Sequence, residues 1–227
     1  MIMLTRLNTG TYHMQIDPAL HAKADNYKML TNLVIPRPIA WITSLGQTGV
    51  INLAPFSFFN AVGSDPLYVV LGIGCRDDGS PKDTAKNILT SSEFVVNFVT
   101  EALFPAMNIS AVEFPPDESE LIAANLHAAS CVHLKTPRLA ESQASLECKL
   151  FQSQPLGSNT LFIGEVVMFH IADELLGPGL QINNYAPIGR LGSPSIYCRT
   201  KDRFEIPRLT YAQWITQNEK VSNKTYS

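Results

Sequence analysis

The sequence predicts a mainly β chain, an antiparallel barrel with inserted helices. Three observations carry this. Runs of β-branched and aromatic residues recur at short spacing, over residues 39–44, 50–54, 67–73, 93–99, 144–152 and 161–172. The first two runs are joined by turn chemistry, Gly46-Gln47-Thr48-Gly49. Helical stretches are inserted between strands and do not alternate with them as a βαβ chain requires.

Taken in order, residues 1–26 are polar and irregular, with a short helical turn starting at Asp17-Pro18. They form either a loose arm or one that packs across a partner subunit. Residues 27–33 lead into Pro36-Arg37-Pro38, a rigid extended entry that cannot be helix. Residues 39–44 and 50–54 pair back on each other, and Pro55, with no N–H to give, ends that ladder. Gly63-Ser64-Asp65-Pro66 closes the unit. Residues 67–73 read as an apolar strand buried on both faces. Ser80 is placed to cap a helix with Pro81 at its first position, and Asp83 stands where a capping box wants an acid. Residues 101–111 and 117–125 read as helices parted by Phe114-Pro115-Pro116. A loop-rich return over 177–194 precedes a last short strand at 195–200. The tail holds a helical stretch at 211–218. With no repeat and no linker, the expected organisation is an arm (1–26), one domain (27–200) and a tail (201–227).

The 227 residues are 45% hydrophobic and only 16% charged, well short of the usual quarter. That shortage points to a surface covered by another subunit. The alternative is a surface rich in Ser, Thr, Asn and Gln. Net charge is −3 and no basic run exists, which argues against nucleic acid. No apolar run reaches bilayer length and no apolar leader opens the chain, so no membrane is expected and the location is expected to be cytoplasmic. Cys75, Cys131, Cys148 and Cys198 form no C-x-x-C pair and read as reduced, buried thiols. Cys131-x-His133 could hold a metal only with help from distant residues, and His170 reads as a satisfied barrel residue. There is no G-x-S-x-G elbow and no metal-binding histidine spacing. Gly72-Ile73-Gly74 lacks the third glycine of a dinucleotide fingerprint.

The stretch Ile51-Asn52-Leu53-Ala54-Pro55-Phe56-Ser57-Phe58-Phe59-Asn60 mixes small or polar groups with large rings around a proline. A plain core strand has no need of that mixture. A flat, polar-edged ligand has: small residues let the backbone approach it, and amides and hydroxyls meet its heteroatoms.

The motifs RPIAW (37–41), TSLGxxG (43–49), NLAPFSFF (52–59), SPKDTAKNI (80–88) and EFVVNF (93–98) together resemble the flavin reductase-like, FMN-binding split-barrel family, which includes flavoredoxins. The resemblance covers residues 27–197. It implies an antiparallel Greek-key split β-barrel, FMN as cofactor, and a homodimer with flavin at or near the two-fold interface. Lys82 and Thr84 resemble the family's phosphate contacts, and free N–H groups at a helix start, with Ser80 nearby, suit an anion. The same segment also reads as an ordinary capped helix with a solvated lysine. Arg37 is a second phosphate candidate. Asn52, Leu53, Ala54, Pro55, Phe56, Ser57 and Phe58 are the candidates for the ring, unless Phe56, Phe58 and Phe59 are core. Thr43 and Ser44 on the neighbouring strand are candidates for the ribityl chain or phosphate. No general acid or base is singled out.

The expected activity is an FMN-dependent oxidoreductase, passing electrons from visiting NAD(P)H through flavin to another, unidentified acceptor. The alternatives are a flavoredoxin-like carrier with tight FMN and no nicotinamide turnover, and a barrel that has lost flavin and serves only to bind.

Overall fold

A computed structural model describes residues 3–6 and 12–222. Strands β1 (Met3–Arg6) and β2 (Tyr12–Gln15) pair as a ribbon, and helix α1 (Lys23–Leu33) follows. Then come β3 (Arg37–Pro38), β4 (Ala40–Leu45), β5 (Ile51–Phe56), β6 (Phe59–Ser64), β7 (Leu67–Gly74), α2 (Asp83–Ser91) and β8 (Glu93–Asn97). An excursion carries α3 (Phe104–Ile109), α4 (Glu120–Ala123), β9 (Ala128–Ala129) and β10 (Arg138–Leu139). The chain continues through β11 (Ala144–Leu156), β12 (Asn159–Ile171), β13 (Ile188–Arg190), β14 (Tyr197–Arg199) and α5 (Tyr211–Ser222).

Seven strands form one antiparallel sheet in the order β5-β4-β8-β11-β12-β7-β6. Its edge strands, β5 and β6, are separated in sequence only by Ser57 and Phe58. So short a link forces the sheet to curl until its edges approach, which makes the barrel and leaves its split beside that link. The fold is the mainly β split barrel that the sequence predicts, and β14-β13-β3 form a smaller sheet beside it.

The core lies on both sides of β4. Ala40 and Ile42 pack inward with Leu71, Phe94, Val96 and Phe162. Ile39 and Trp41 face the other way, against Met107, Leu121 and Leu139 of the excursion. Alternation along β4 is lost because the excursion covers the face that water would otherwise wet. Trp41 Nε1 donates to Ser110 Oγ at 2.8 Å, which satisfies the one polar atom of that buried ring.

Several expectations are corrected. The first 26 residues contain a ribbon and most of the first turn of a helix, not irregular chain alone. Strand β7 is buried on one face, through Val69, Leu71 and Ile73, while Tyr68, Val70 and Gly72 are half-buried; β4 and β8 are buried on both faces. The β4–β5 ladder runs past Pro55 to Phe56, because β5 is an edge strand where a missing N–H costs no partner. Helix α2 starts at Asp83, two residues beyond the expected first position, with Lys82 in the cap position. Asp78 Oδ1 accepts the Ser80 N–H at 2.8 Å and Pro81 bridges to Cys75, so 75–81 is held as a loop. The 117–125 helix shrinks to α4. Of the four thiols only Cys148 is buried, and Cys75 is exposed. Among the described residues no helix is long and apolar enough to cross a membrane.

Gly164 of β12 tests the packing across the long β11–β12 hairpin. A Cβ there would stand 2.5 Å from Phe94 Cζ and 3.2 Å from Cys148 Cβ, and Phe94 is fully buried. Gly164→Ala is expected to destabilise the fold by about 1–3 kcal/mol, read as a lower urea midpoint at unchanged slope.

Candidate functional site

The barrel's split opens into two adjoining clefts that share Pro55, Phe56 and Lys82. The larger has a volume of about 430 Å³, the scale of a small-molecule site. Its floor is the link between the edge strands, Pro55 to Phe58, with Gly72 and Gly74 of β7 behind it. One wall is α1, through Tyr27 and Thr31, one turn apart on a single face. Arg190, the 192–194 loop, which packs against Asn32 of α1 at Gly192, and Asn159 complete the lining. The Tyr27 and Phe58 rings lie 6.2 Å apart, a tilted aromatic corner.

Charge distinguishes this cleft. Arg37, Lys82 and Arg190 line it, and no carboxylate does. Arg37 is buried, and its Nη1 donates to the carbonyls of Thr31 (2.5 Å) and Val34 (2.6 Å) while Nε donates to Ser57 Oγ at 3.3 Å. It therefore ties the C-terminus of α1 to the barrel link. Burial draws its pKa below the ordinary arginine value, with Arg190 pushing the same way and Tyr27 opposing. Arg190 donates to Tyr197 Oη at 2.7 Å and to Pro194 O at 2.8 Å, and its guanidinium lies 4.8 Å from the Tyr197 ring centroid. Lys82, half-exposed at the start of α2, pairs among the described residues with Glu113, at 3.7 Å.

The smaller cleft, about 100 Å³, holds Asn52, Ala54, Arg76, Asp83, Thr84 and Glu120. Asn52 Nδ2 donates to Thr84 Oγ1 at 2.9 Å, so these two buried residues satisfy each other. Asp83 does not turn back to a cap: Arg76 holds it at 2.5 Å and Lys86 at 3.4 Å. That pairing neutralises the one acid of the α2 start. Glu120 Oε2 accepts the Leu53 N–H at 2.8 Å and so covers an edge donor of β5.

Of the residues singled out from sequence, the structure brings Arg37, Asn52, Ala54, Pro55, Phe56, Ser57, Lys82 and Thr84 to these two clefts. Thr43, Ser44 and Leu53 are fully buried away from them. Thr43 Oγ1 donates to Pro137 O at 2.7 Å, and Ser44 Oγ accepts from Asn87 Nδ2 at 3.2 Å. Ser80 sits on the loop before α2 and lines neither cleft. Tyr27, Thr31, Arg76 and Asn159 were not anticipated. The one-turn spacing of Tyr27 and Thr31 stands in the sequence, but with Thr31 the one buried residue of α1 it does not mark a helix. Arg190 stands in a Gly189-Arg190 pair within the loop-rich return.

Comparison with known proteins matches residues 32–204 to the family described as Flavin reductase like domain. An uncharacterized protein of Aquifex aeolicus is 41% identical over 168 residues, 73% of this chain and 86% of that one. Nitrilotriacetate monooxygenase component B from Bacillus cereus superposes with a TM-score of 0.82 at 35% identity, covering 86% of this chain and 98% of that one. The 2-nitrobenzoate 2-nitroreductase NbaA of Pseudomonas fluorescens superposes with a TM-score of 0.79 at 32% identity, covering 87% and 97%.

Glu120 gives the site a pH signature. Burial holds its carboxyl above the ordinary glutamate value, against the pull of the Leu53 and Glu120 N–H groups, with Asp83 adding to the rise. The fold thus favours the protonated form, and that contribution is present below the unfolded pKa and lost as pH rises through the folded one. Glu120→Gln keeps an acceptor for Leu53 and carries no charge. The variant should melt above the parent at pH 7 to 8, and the difference should vanish below about pH 4. A gain that grows toward acid would contradict this.

Proposed function

The chain belongs to the flavin reductase-like family, and on that premise we propose that it is an FMN-dependent oxidoreductase taking electrons from NAD(P)H and handing them to a separate acceptor. The observation that carries this reading is the larger cleft, with three cations, no carboxylate and an aromatic corner at the split of the barrel. Its residues fit FMN. Lys82, Arg190 and the field of Arg37 suit a phosphate, and the N–H groups at the start of α2 add to them. The segment from Asn52 to Ser57 presents small residues, an edge backbone and Phe56 to a flat ring. A bound flavin would supply the hydride-accepting chemistry.

The chain's own residues bind and orient. Asp83, already paired with Arg76 and Lys86, does not repel an anion near Lys82 as a free carboxylate would. Arg37 keeps its hydrogen bonds to α1 and acts on an anion through its field. Phe58, part of the floor, and the Tyr27 ring 6.2 Å from it offer the ligand an apolar corner. With no dinucleotide fingerprint in the sequence, NAD(P)H is a visiting substrate in this reading. Residues 27–200 form the flavin domain, with 1–26 and 201–227 as appended segments, and the location is cytoplasmic. The partner is a second copy of the chain. Tyr27, Leu30, Leu33 and Val34 leave α1 with a broad exposed apolar surface beside the cleft.

Purified protein should show the oxidised-flavin absorbance spectrum after addition of FMN and gel filtration. Lys82→Ala should weaken FMN binding roughly ten- to a hundred-fold, since a hydrogen bond to a charged group contributes about 1.5–3 kcal/mol. Riboflavin, which lacks the phosphate, should bind both proteins alike. Equal losses for the two ligands would mean that Lys82 acts through the fold. Bound FMN that never turns over NADH or NADPH would make the protein a carrier instead.

Light scattering should give twice the chain mass at micromolar concentration, with an interface above about 1,000 Å². A monomer mass would reject the dimer.

A further inference from the structure

Away from the cleft, three side chains with metal-ligating atoms converge from three separate segments. Cys131 lies in the excursion, Glu147 on β11 and His170 on β12. The Cys131 sulfur, a Glu147 carboxylate oxygen and a His170 ring nitrogen all lie within 4.8 Å of one another. Glu147 is fully buried, while Cys131 and His170 are partly exposed, so the cluster has a closed floor and an open mouth. His170 Nε2 stands 2.6 Å from Glu147 Oε1. The remaining lone pairs of Glu147 accept backbone N–H groups of Val132 at 2.7 Å, His133 at 2.8 Å and Leu134 at 3.1 Å. A carboxylate so oriented is what a metal ligand needs from its surroundings.

We propose that Cys131, Glu147 and His170 form a site for a zinc-class divalent cation that clamps the 131–134 loop to the β11–β12 hairpin. One thiolate, one imidazole and one carboxylate suit zinc, whereas magnesium and calcium prefer oxygen alone. Bonds of about 2.0–2.3 Å to tetrahedral zinc put ligand atoms roughly 3.3–3.6 Å apart, so the His170–Glu147 pair at 2.6 Å must part slightly while the three atoms stay within the 4.8 Å they already span. Binding breaks the His170–Glu147 hydrogen bond, and the Cys131 thiol proton leaves to solvent. The thiolate and carboxylate then cancel the charge of the dication. Burial, with the Glu147 carboxylate, holds the Cys131 thiol above its ordinary value, so the proton leaves only as the cation takes its place. The fourth position is left to water, or to His133, whose side chain is exposed and whose backbone is already held by Glu147. The site is structural in its placement: His170 lies at the opposite end of β12 from cleft-lining Asn159, roughly 35 Å along the strand. This proposal is independent of the flavin reading.

The test uses the full chain without a histidine tag, stripped with a chelator and measured with and without added flavin. One zinc per chain should remain after gel filtration, with a raised melting temperature. Cobalt(II) should give a thiolate charge-transfer band and tetrahedral visible bands. Loss of a mere outer partner of a metal ligand costs about 10- to 100-fold in affinity, so Cys131→Ser should weaken zinc about 100-fold or more and abolish the thiolate band. His170→Gln should weaken it likewise, and His127→Gln, at an exposed histidine paired with Glu141, should leave binding intact. Three outcomes each overturn the site: substoichiometric zinc, no thiolate band in the parent, or equal binding by parent and Cys131→Ser.

Discussion

Everything at the mouth of this barrel depends on how its edges are joined. Two residues, Ser57 and Phe58, connect strands at opposite ends of a seven-stranded sheet. Each is gripped from another element. Ser57 Oγ accepts from Arg37, which in turn holds the last carbonyls of α1. Phe58 O accepts the Gly72 N–H at 2.7 Å, and a Cβ on Gly72 would come within 3.1 Å of Phe58 Cβ. Closure of the sheet, docking of α1 and the floor of the larger cleft are therefore one arrangement. The cleft is a by-product of closing the barrel, and its cations are already in place because one of them is needed to fasten the helix.

The helical excursion is attached differently. It folds over the outer face of β4 and is secured by polar side chains on the barrel. Asn97 Oδ1 accepts from the Leu139 N–H and from Ser145 Oγ, and its Nδ2 reaches Trp41 O and Thr43 Oγ1. Glu93 takes the Thr136 N–H and hydroxyl, and Glu147 takes three successive N–H groups. These groups are buried or half-buried, where each hydrogen bond left unmade would cost more than it contributes when made.

The strands were legible because period-two and β-branched patterns are local. The Asn52 to Ser57 segment stood out for a related reason: its mixture of small, polar and aromatic residues does not serve a core. Helix α1 was not legible. Tyr27, Leu30 and Leu33 are exposed, only Thr31 is buried, and its anchor is an arginine beyond its own end. Thr43 and Ser44 read as ligand contacts because sequence does not show which face of a strand will be covered. The partner of Thr43 lies 94 residues away. The helix start at Ser80 failed to a nearer competitor, since Asp78 captures the same N–H first. Arg190 reaches the cleft only through the small sheet that pairs β13 with β3, a long-range contact invisible to any window.

The carboxylate hooks share one property: they hold main-chain N–H groups, which every residue except proline offers. Segments 132–134 and 136 are thereby constrained in length and in the shape of their turns; the identity of exposed Val132 and His133 is hardly constrained, whereas Leu134 and Thr136 are buried. Substitutions can accumulate at the exposed positions of the covering excursion without loosening it from the barrel, provided that proline stays out of the gripped positions and the packed Met107, Leu121 and Leu139 are kept. The surface that the molecule shows on that side is free to change while the hooks beneath, Glu93, Asn97 and Glu147, are not.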